Sequence, residues 1–287
     1  MKYLIVKGCI VGFGDRLQSL KMCVKYALKH KLSVYVDWTD PVWSHSGESF
    51  YTYFDLAMPK FSIDDIPTDA TVFPEVWKDK LKVHPTTEMI KTNPEITIGY
   101  IQDQIFPADV IVYTCSGLRW IYNDSKFFTD VFRVTDSRIV QKVKERQQQY
   151  QLSTKIGIHL RGSDRASKID KSNRMAALNI RMVGMGVLNG TKFVAVSDDA
   201  DYVKIWKARY AEFPVLTVLG IQSGNVGTHN KPKDQLSVSK DLMNVDLLTD
   251  FFTLASCKGV VSTSKDSRFA QESQRLGKFI DKILSHI

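Results

Sequence analysis

Short apolar runs alternate along this chain with longer stretches in which apolar residues return every three or four positions, and that rhythm predicts an α/β protein. Tyr3 to Val6 is continuously apolar, as on a strand buried on both faces of a parallel sheet. Gly8 to Gly14 reads as a loop. Leu17, Leu20, Val24, Ala27 and Leu28 then mark a helix from Asp15, its expected cap, to His30. Leu32 to Val36 is the next strand and ends at Asp37-Trp38. Strand, loop, helix and strand form the crossover unit of a parallel sheet. Ile96 to Gly99 and Val110 to Tyr113 are two further expected strands. Between Thr39 and Glu95 the periodicity is lost. That stretch carries Trp43, Phe50, Tyr51, Tyr53 and Phe54, which fit either a substrate-facing excursion or a cap over the sheet.

Asp136 to Gln149 predicts a polar helix anchored only by Ile139, Val140 and Val143, the kind that bridges two lobes. The expected division is therefore residues 1–135 and 136–287. The second part repeats the rhythm: Ile156, Ile158 and Leu160 alternate on a strand, and Lys192 to Val196 is another. A helix begins in Ser197-Asp-Asp-Ala-Asp201 and runs through Tyr210, followed by a strand over Val215 to Leu219 and a polar loop over Gly220 to Lys240. Asp241 to Cys257 predicts a helix with Leu242, Val245, Leu248, Leu254 and Ala255 inward. Val260 to Thr263 is a short strand, and Ser264 to Phe269 opens a helix closed by Gly277.

Composition narrows the function. With 287 residues, 44% of them hydrophobic, the chain can bury one large core or two ordinary ones. Lys and Arg number 39 against 31 Asp and Glu, a formal net charge of +8 that invites a polyanionic partner. The charges are scattered, as in Lys142-Val-Lys-Glu-Arg146, rather than gathered in a basic stripe with stacking aromatics. A phosphate-bearing small molecule is thus expected, and nucleic acid is not. Cys9, Cys23, Cys115 and Cys257 show no paired spacing, which argues against zinc or a disulfide framework and for a reducing compartment. Cys23 and Cys257 fall in apolar helical patterns, as core residues do. The apolar run at Met1 to Val6 is too short for a signal peptide, and no run of about 18 apolar residues offers a membrane span. A soluble cytoplasmic protein is the expectation; oligomeric state leaves no mark.

The stretch Lys155-Ile-Gly-Ile-His-Leu-Arg-Gly-Ser-Asp-Arg165 concentrates the chemistry, because an apolar strand gives way at once to His159, Arg161, Asp164 and Arg165 around Gly162. Ligands of open α/β sheets sit at the carboxyl ends of strands, and the planar fork of Arg grips phosphate in two places. The plainer reading is a solvated turn in which Ser163 and Asp164 bond local amides. Two more strand ends support the site reading: Ser197-Asp198-Asp199, and Thr263 to Phe269, where hydroxyls and amides at a helix start suit phosphate. Asp199-Ala-Asp201 is also a spacing that can hold a divalent metal. A helix cap is preferred there, because Arg161 and the helix start can meet the phosphate charge, and no metal is expected. His159 could equally be a satisfied, half-buried histidine of its strand. In the first loop, Gly12-Phe-Gly14 lacks a third glycine, and Asp15 would repel a pyrophosphate, so an acidic group there suits an acceptor hydroxyl better. No Ser-His-Asp or Cys-His order stands out.

Val11-Gly-Phe-Gly-Asp-Arg-Leu-Gln18, running through a helix to Val36-Asp-Trp38, resembles the first motif of the GDP-fucose-dependent fucosyltransferase superfamily, which includes the α1,6-, nodulation and protein O-fucosyltransferases. Ile158-His-Leu-Arg-Gly-Ser-Asp164 resembles its second motif, Val194 to Asp199 its Ser-Asp-Asp strand end, and Val261-Ser-Thr-Ser to Phe269 its last serine-rich segment. The resemblance implies a GT-B-like fold of two Rossmann-like lobes whose parallel sheets face a central cleft. The first lobe, 1–135, would take the acceptor and the second, 136–287, the nucleotide sugar. It implies inverting, metal-independent transfer of a sugar, L-fucose from GDP-fucose, to a hydroxyl of a glycan or glycoprotein acceptor, without a further cofactor. Arg161 would hold the β-phosphate. His159 and Asp164 would position nucleotide or ribose, Thr263, Ser264, Ser267 and Arg268 would seat phosphate, and Asp198, with Gly12, Gly14 and Arg16 of the first loop, would bind the donor. Asp15 would be the general base. The sequence departs from the family where Gly162 stands in place of a common second arginine and where Lys265-Asp266 carry charge. Another donor such as a UDP-pentose, or noncatalytic binding of a nucleotide sugar or glycan, remains an alternative.

Overall fold

The computed structural model describes residues 2–96, 101–116, 125–162, 168–219 and 233–285. The chain forms two compact units, Met1–Asp136 and Ser137–Ser285. In the first, strands β1 (Tyr3–Lys7) and β2 (Ser33–Asp37) flank helix α1 (Phe13–His30). A short helix α2 (Phe50–Tyr53) leads into β3 (Phe54–Leu56), and then come β4 (Val72–Phe73), α3 (Thr87–Thr92), β5 (Val110–Thr114) and β6 (Phe132–Val134). The sheet order is β2-β1-β5-β4, every pair parallel, with Lys7 in register with both Asp37 and Thr114 at its carboxyl edge. Ile5, Val110 and Val112 pack with Trp77 and Ile96 on one face. β3 and β6 form a separate antiparallel pair.

Helix α1 starts two residues before the expected point. Gly12 is its N-cap and Asp15 lies in its first turn, where the helix dipole favours a carboxylate. The helix is buried almost all round, Arg16, Gln18, Ser19 and Lys21 included, whereas Leu28, expected inside, is half exposed. The aromatic stretch after β2 caps the sheet. Trp43, Phe50, Tyr53 and Phe54 are buried with Phe13 and Trp38, ring centroids lying 5.0 Å apart for Trp38–Phe50 and 5.3 Å for Trp38–Trp43. Such pairs add about 0.5–1.5 kcal/mol each beyond area burial. Ile96 ends a turn of 3-10 helix, Pro94–Ile96, rather than opening a strand, and residues 97–99 of that expectation lie outside the described residues.

The second unit holds α4 (Ser137–Tyr150), β7 (Ile156–Leu160), α5 (Lys168–Gly184), β8 (Phe193–Ser197), α6 (Ala200–Arg209), α7 (Lys240–Ala255), β9 (Gly259–Ser262), α8 (Arg268–Leu276) and α9 (Ile280–Ile283). Its sheet order is β8-β7-β9, all parallel. Alternation along β7 decides which side chains meet which helices. Ile158 and Leu160 pack with Met175, Leu178 and Met182 of α5 and Tyr202 and Trp206 of α6. Gly157 and His159 point to the other face, where a Cβ at Gly157 would lie 2.8 Å from Leu254 of α7. Helix α5 was not evident in the pattern because its three buried anchors are spread among charges. Val215 to Leu219 does not make a full strand: only Val215 bridges β8, parallel to Ala195. On α7, Leu242 is half exposed rather than inward. All four cysteines are free. Among the described residues no helix is long and apolar enough to cross a membrane.

Candidate functional site

In the second unit, three strand ends named from the sequence come together at the carboxyl edge of one parallel sheet, and hydrogen bonds tie them to each other. The amide of Arg161, just past β7, donates to the Thr263 hydroxyl after β9 at 2.9 Å. The next amide, Gly162, donates to Asp198 Oδ1 after β8 at 2.8 Å. Ser197 Oγ lies 2.9 Å from the Leu160 carbonyl, and the Thr263 amide donates to the His159 carbonyl at 3.0 Å. The backbone carrying Arg161 is thus clamped from both neighbouring strands, while the Arg161 side chain is half exposed. Gly162 is needed for close approach: a Cβ there would lie 2.6 Å from the Tyr202 ring and 2.9 Å from Asp199 Cγ. This packing explains why no second arginine follows Arg161.

His159 is 5% exposed. Its Nδ1 sits 3.2 Å from Ser262 Oγ and 3.1 Å from Ser267 Oγ, and its ring lies against Phe269 at 5.0 Å. Burial, aided by the Arg161 charge, pushes its pKa down to about 3, so the ring is neutral. Both serine hydroxyls also accept from amides, Ser264 N–H at 3.1 Å and Ala270 N–H at 3.3 Å, so each links the ring to the start of the next segment. Ser267 is the N-cap of α8. His159 and Ser267 therefore serve the β9–α8 junction first. Thr263 is likewise buried and engaged with backbone, in place of the expected direct seat for phosphate. Ser264 and Arg268 stay half exposed beside that junction. Asp164, with Ser163 and Arg165, lies outside the described residues.

The Asp199–Asp201 pair has a cation of its own. Asp199 caps α6 by accepting from the Asp201 and Tyr202 amides at 2.9 and 3.0 Å. Its other oxygen meets Lys171 Nζ at 2.7 Å, and the same ammonium reaches Asp201 at 3.0 Å. Burial opposes the Lys171 charge, but the hydrogen bonds to Asp199 and Asp201 outweigh it and raise its pKa above the ordinary value. The cap reading of Asp199 thus describes the structure. Lys171 was missed because a lone lysine on a helix carries no pattern; so was Arg181, whose Nη2 donates to the Ser262 carbonyl at 2.7 Å. Among the described residues no group of three or more His, Cys, Asp or Glu gathers as metal ligands would.

In the first unit, the expectation that Arg16 touches the donor gives way. Its guanidinium is fully buried and grips both oxygens of Asp40 at 2.7 Å, with further bonds to the carbonyls of Cys9 at 2.5 Å and Val11 at 3.1 Å. Burial works against the charge, but Asp40 more than offsets it and raises the pKa. A Cβ at Gly8 would run into this pair. Arg16 therefore shapes the Gly8–Gly14 loop from inside. Gly14 is buried in the first turn of α1, and Gly12 borders open space. Asp15 is half exposed at the helix start. A second buried pair, Lys7–Asp37 at 2.6 Å, lies at the carboxyl edge of β1 and β2, with Thr39 Oγ1 donating to Asp37 at 2.7 Å.

The fold is similar to that of the fucosyltransferase NodZ. NodZ alpha-1,6-fucosyltransferase soaked with GDP-fucose superposes with a TM-score of 0.67 at 16% identity, over 96% of this chain and 93% of that one. NodZ from Bradyrhizobium gives 0.66 at 17% identity, over 95% and 91% of the two chains. FUT1 of Arabidopsis thaliana in complex with GDP gives 0.53 at 14% identity, over 96% of this chain and 69% of that one. No protein-family profile matches the sequence, and no curated protein sequence does. At these identities the likeness to NodZ establishes the fold, α/β and GT-B-like.

Proposed function

We propose that this protein is a glycosyltransferase that moves L-fucose from GDP-fucose to a hydroxyl of a glycan acceptor, with inversion and without a metal ion. The observation that carries the reading is Arg161, whose amide bonds Thr263 while the next amide, Gly162, bonds Asp198, at the carboxyl edge of a parallel sheet in a chain whose fold is similar to GDP-fucose-soaked NodZ. Arg161 would bind the β-phosphate and offset the charge that builds on departing GDP, a preorganised role because its backbone is already fixed. Asp198, Ser264, Arg268 and Asp164 would contact the nucleotide or its phosphates. His159, Thr263 and Ser267 would act through the backbone they hold. The second unit takes the donor on this reading, and the first offers the Gly12–Asp15 loop to the acceptor. Asp15 would accept the proton of the attacking hydroxyl. As that oxygen bonds the sugar's anomeric carbon, the bond to the β-phosphate oxygen breaks and GDP leaves with the electron pair.

Thermal unfolding against nucleotides and nucleotide sugars, with and without chelator, tests donor and metal together. A ligand at about a hundredfold its dissociation constant adds roughly 2.7 kcal/mol. Shifts with GDP and GDP-fucose that survive chelator are expected. A shift confined to UDP sugars would replace the donor, and loss in chelator would end the metal-free mechanism. In a transfer assay Arg161→Ala is expected to lose activity, and Asp15→Asn to keep the GDP-fucose shift while losing transfer. Full transfer by Asp15→Asn would remove it as the base, and donor binding without turnover in the parent protein would make this a binding protein.

A further inference from the structure

A buried network outside the strand ends leads directly into one of them. Beside β8 the chain from Pro214 to Leu219 pairs for a single step: Ala195 N–H donates to the Pro214 carbonyl at 2.9 Å and Leu216 N–H to the Ala195 carbonyl at 2.8 Å. One residue later the ladder stops. The Ser197 amide donates instead to a side chain, Thr217 Oγ1, at 2.8 Å. The Thr217 hydroxyl in turn donates to Asp250 Oδ2 of α7 at 2.5 Å. The other Asp250 oxygen accepts from Arg146 of α4 at 2.8 Å, and Arg146 also reaches Thr253 Oγ1 at 2.9 Å and the Leu216 carbonyl at 2.5 Å. Arg146 and Asp250 are both buried. The chain of contacts Arg146–Asp250–Thr217 therefore ends on Ser197, the residue before Asp198, which in turn holds the Gly162 amide.

We propose that Thr217, fixed by Asp250 and Arg146, is a positioning residue that sets the Ser197–Asp199 turn for the nucleotide of the donor. Its hydroxyl must do two things at once, accept the Ser197 N–H and donate to Asp250. Ser can do both and Val neither. The Arg146 fork matters because it holds the carboxylate and the Leu216 carbonyl together, so the Thr217 backbone and its acceptor are placed by one group. This role rests on the nucleotide-sugar reading above.

Calorimetric titration of GDP into the wild-type protein, Thr217→Val and Thr217→Ser tests it. Thr217→Val is expected to weaken GDP about tenfold, the scale of one lost net hydrogen bond. Thr217→Ser should stay within about threefold of wild type, a rescue that general loss of stability would not produce. Equal GDP affinity for wild type and Thr217→Val overturns the proposal alone. Absence of GDP binding by the wild type overturns the reading beneath it and the proposal with it. If Thr217→Val does not fold, hydrogen exchange on the wild-type protein decides: GDP must raise protection of residues 195–199 and 215–217 together, and protection of the first segment alone refutes the link.

Discussion

Acidification should weaken the second unit through one side chain, and the structure sets the size of the effect. His159 is neutral in the native state, its pKa pushed down to about 3 by burial and by Arg161, against an ordinary value of 6.5. A depressed folded pKa means that the unfolded chain binds more protons between these values. The stability His159 contributes is therefore fully present above about pH 6.5 and is lost as pH falls toward about 3, at about 1.4 kcal/mol per pH unit. From about pH 7.5 to about pH 5 the loss is about 2 kcal/mol. Charging the ring would also disturb its Nδ1 contacts with Ser262 and Ser267, the second of which caps α8. Asp250 works in the opposite direction. Burial, then the nearby Asp246 charge, push its carboxyl up to about 7, so its contribution is present at low pH and lost as pH rises through that value. The two must be separated by difference. Urea unfolding of wild type and His159→Gln, followed by circular dichroism and tryptophan fluorescence at both pH values, isolates residue 159 because all other groups cancel. Whatever the substitution costs at about pH 7.5, the gap should shrink by about 2 kcal/mol at about pH 5. A gap that stays constant would show that His159 takes up its proton as readily in the native state as in the unfolded chain and would refute the depressed pKa; a gap that grows would show a ring held charged.

Gly162→Ala should lower the unfolding midpoint by an amount worth about 1–3 kcal/mol, since its methyl meets Tyr202 at 2.6 Å, and an unchanged midpoint would mean that the loop shifts freely. Lys171→Met leaves the Asp199 carboxylate buried without its ion-pair partner, and should cost about 3–5 kcal/mol in urea titration. A neutral result there would mean that Asp199 is held by its cap bonds alone. Arg16→Lys keeps the charge but loses the fork on Asp40. It is expected to cost about 2 kcal/mol of stability, and native-like stability would refute the scaffold role of that pair.

The sequence by itself determined the elements whose burial is a matter of period. β1, β2, β5, β7 and β8 are short apolar runs that have nowhere to go but the middle of a sheet, and α1, α6 and α7 carry enough spaced apolar anchors to be read. It also placed Arg161, Asp198 and Thr263 at strand ends, because the switch from apolar run to polar cluster is itself a sequence signal. It could not show which polar residues face outward. Arg16 and Arg161 both lie within two residues of a glycine, yet one is fully buried against Asp40 and the other is only partly buried; only the path of the chain from Gly8 to Asp40 decides that. Lys171 against Asp199, and Thr217 between Ser197 and Asp250, join residues 20 to 33 positions apart through single polar contacts. Such contacts leave no period, since one well-placed hydrogen bond needs one residue, whereas a helix face or a strand needs many.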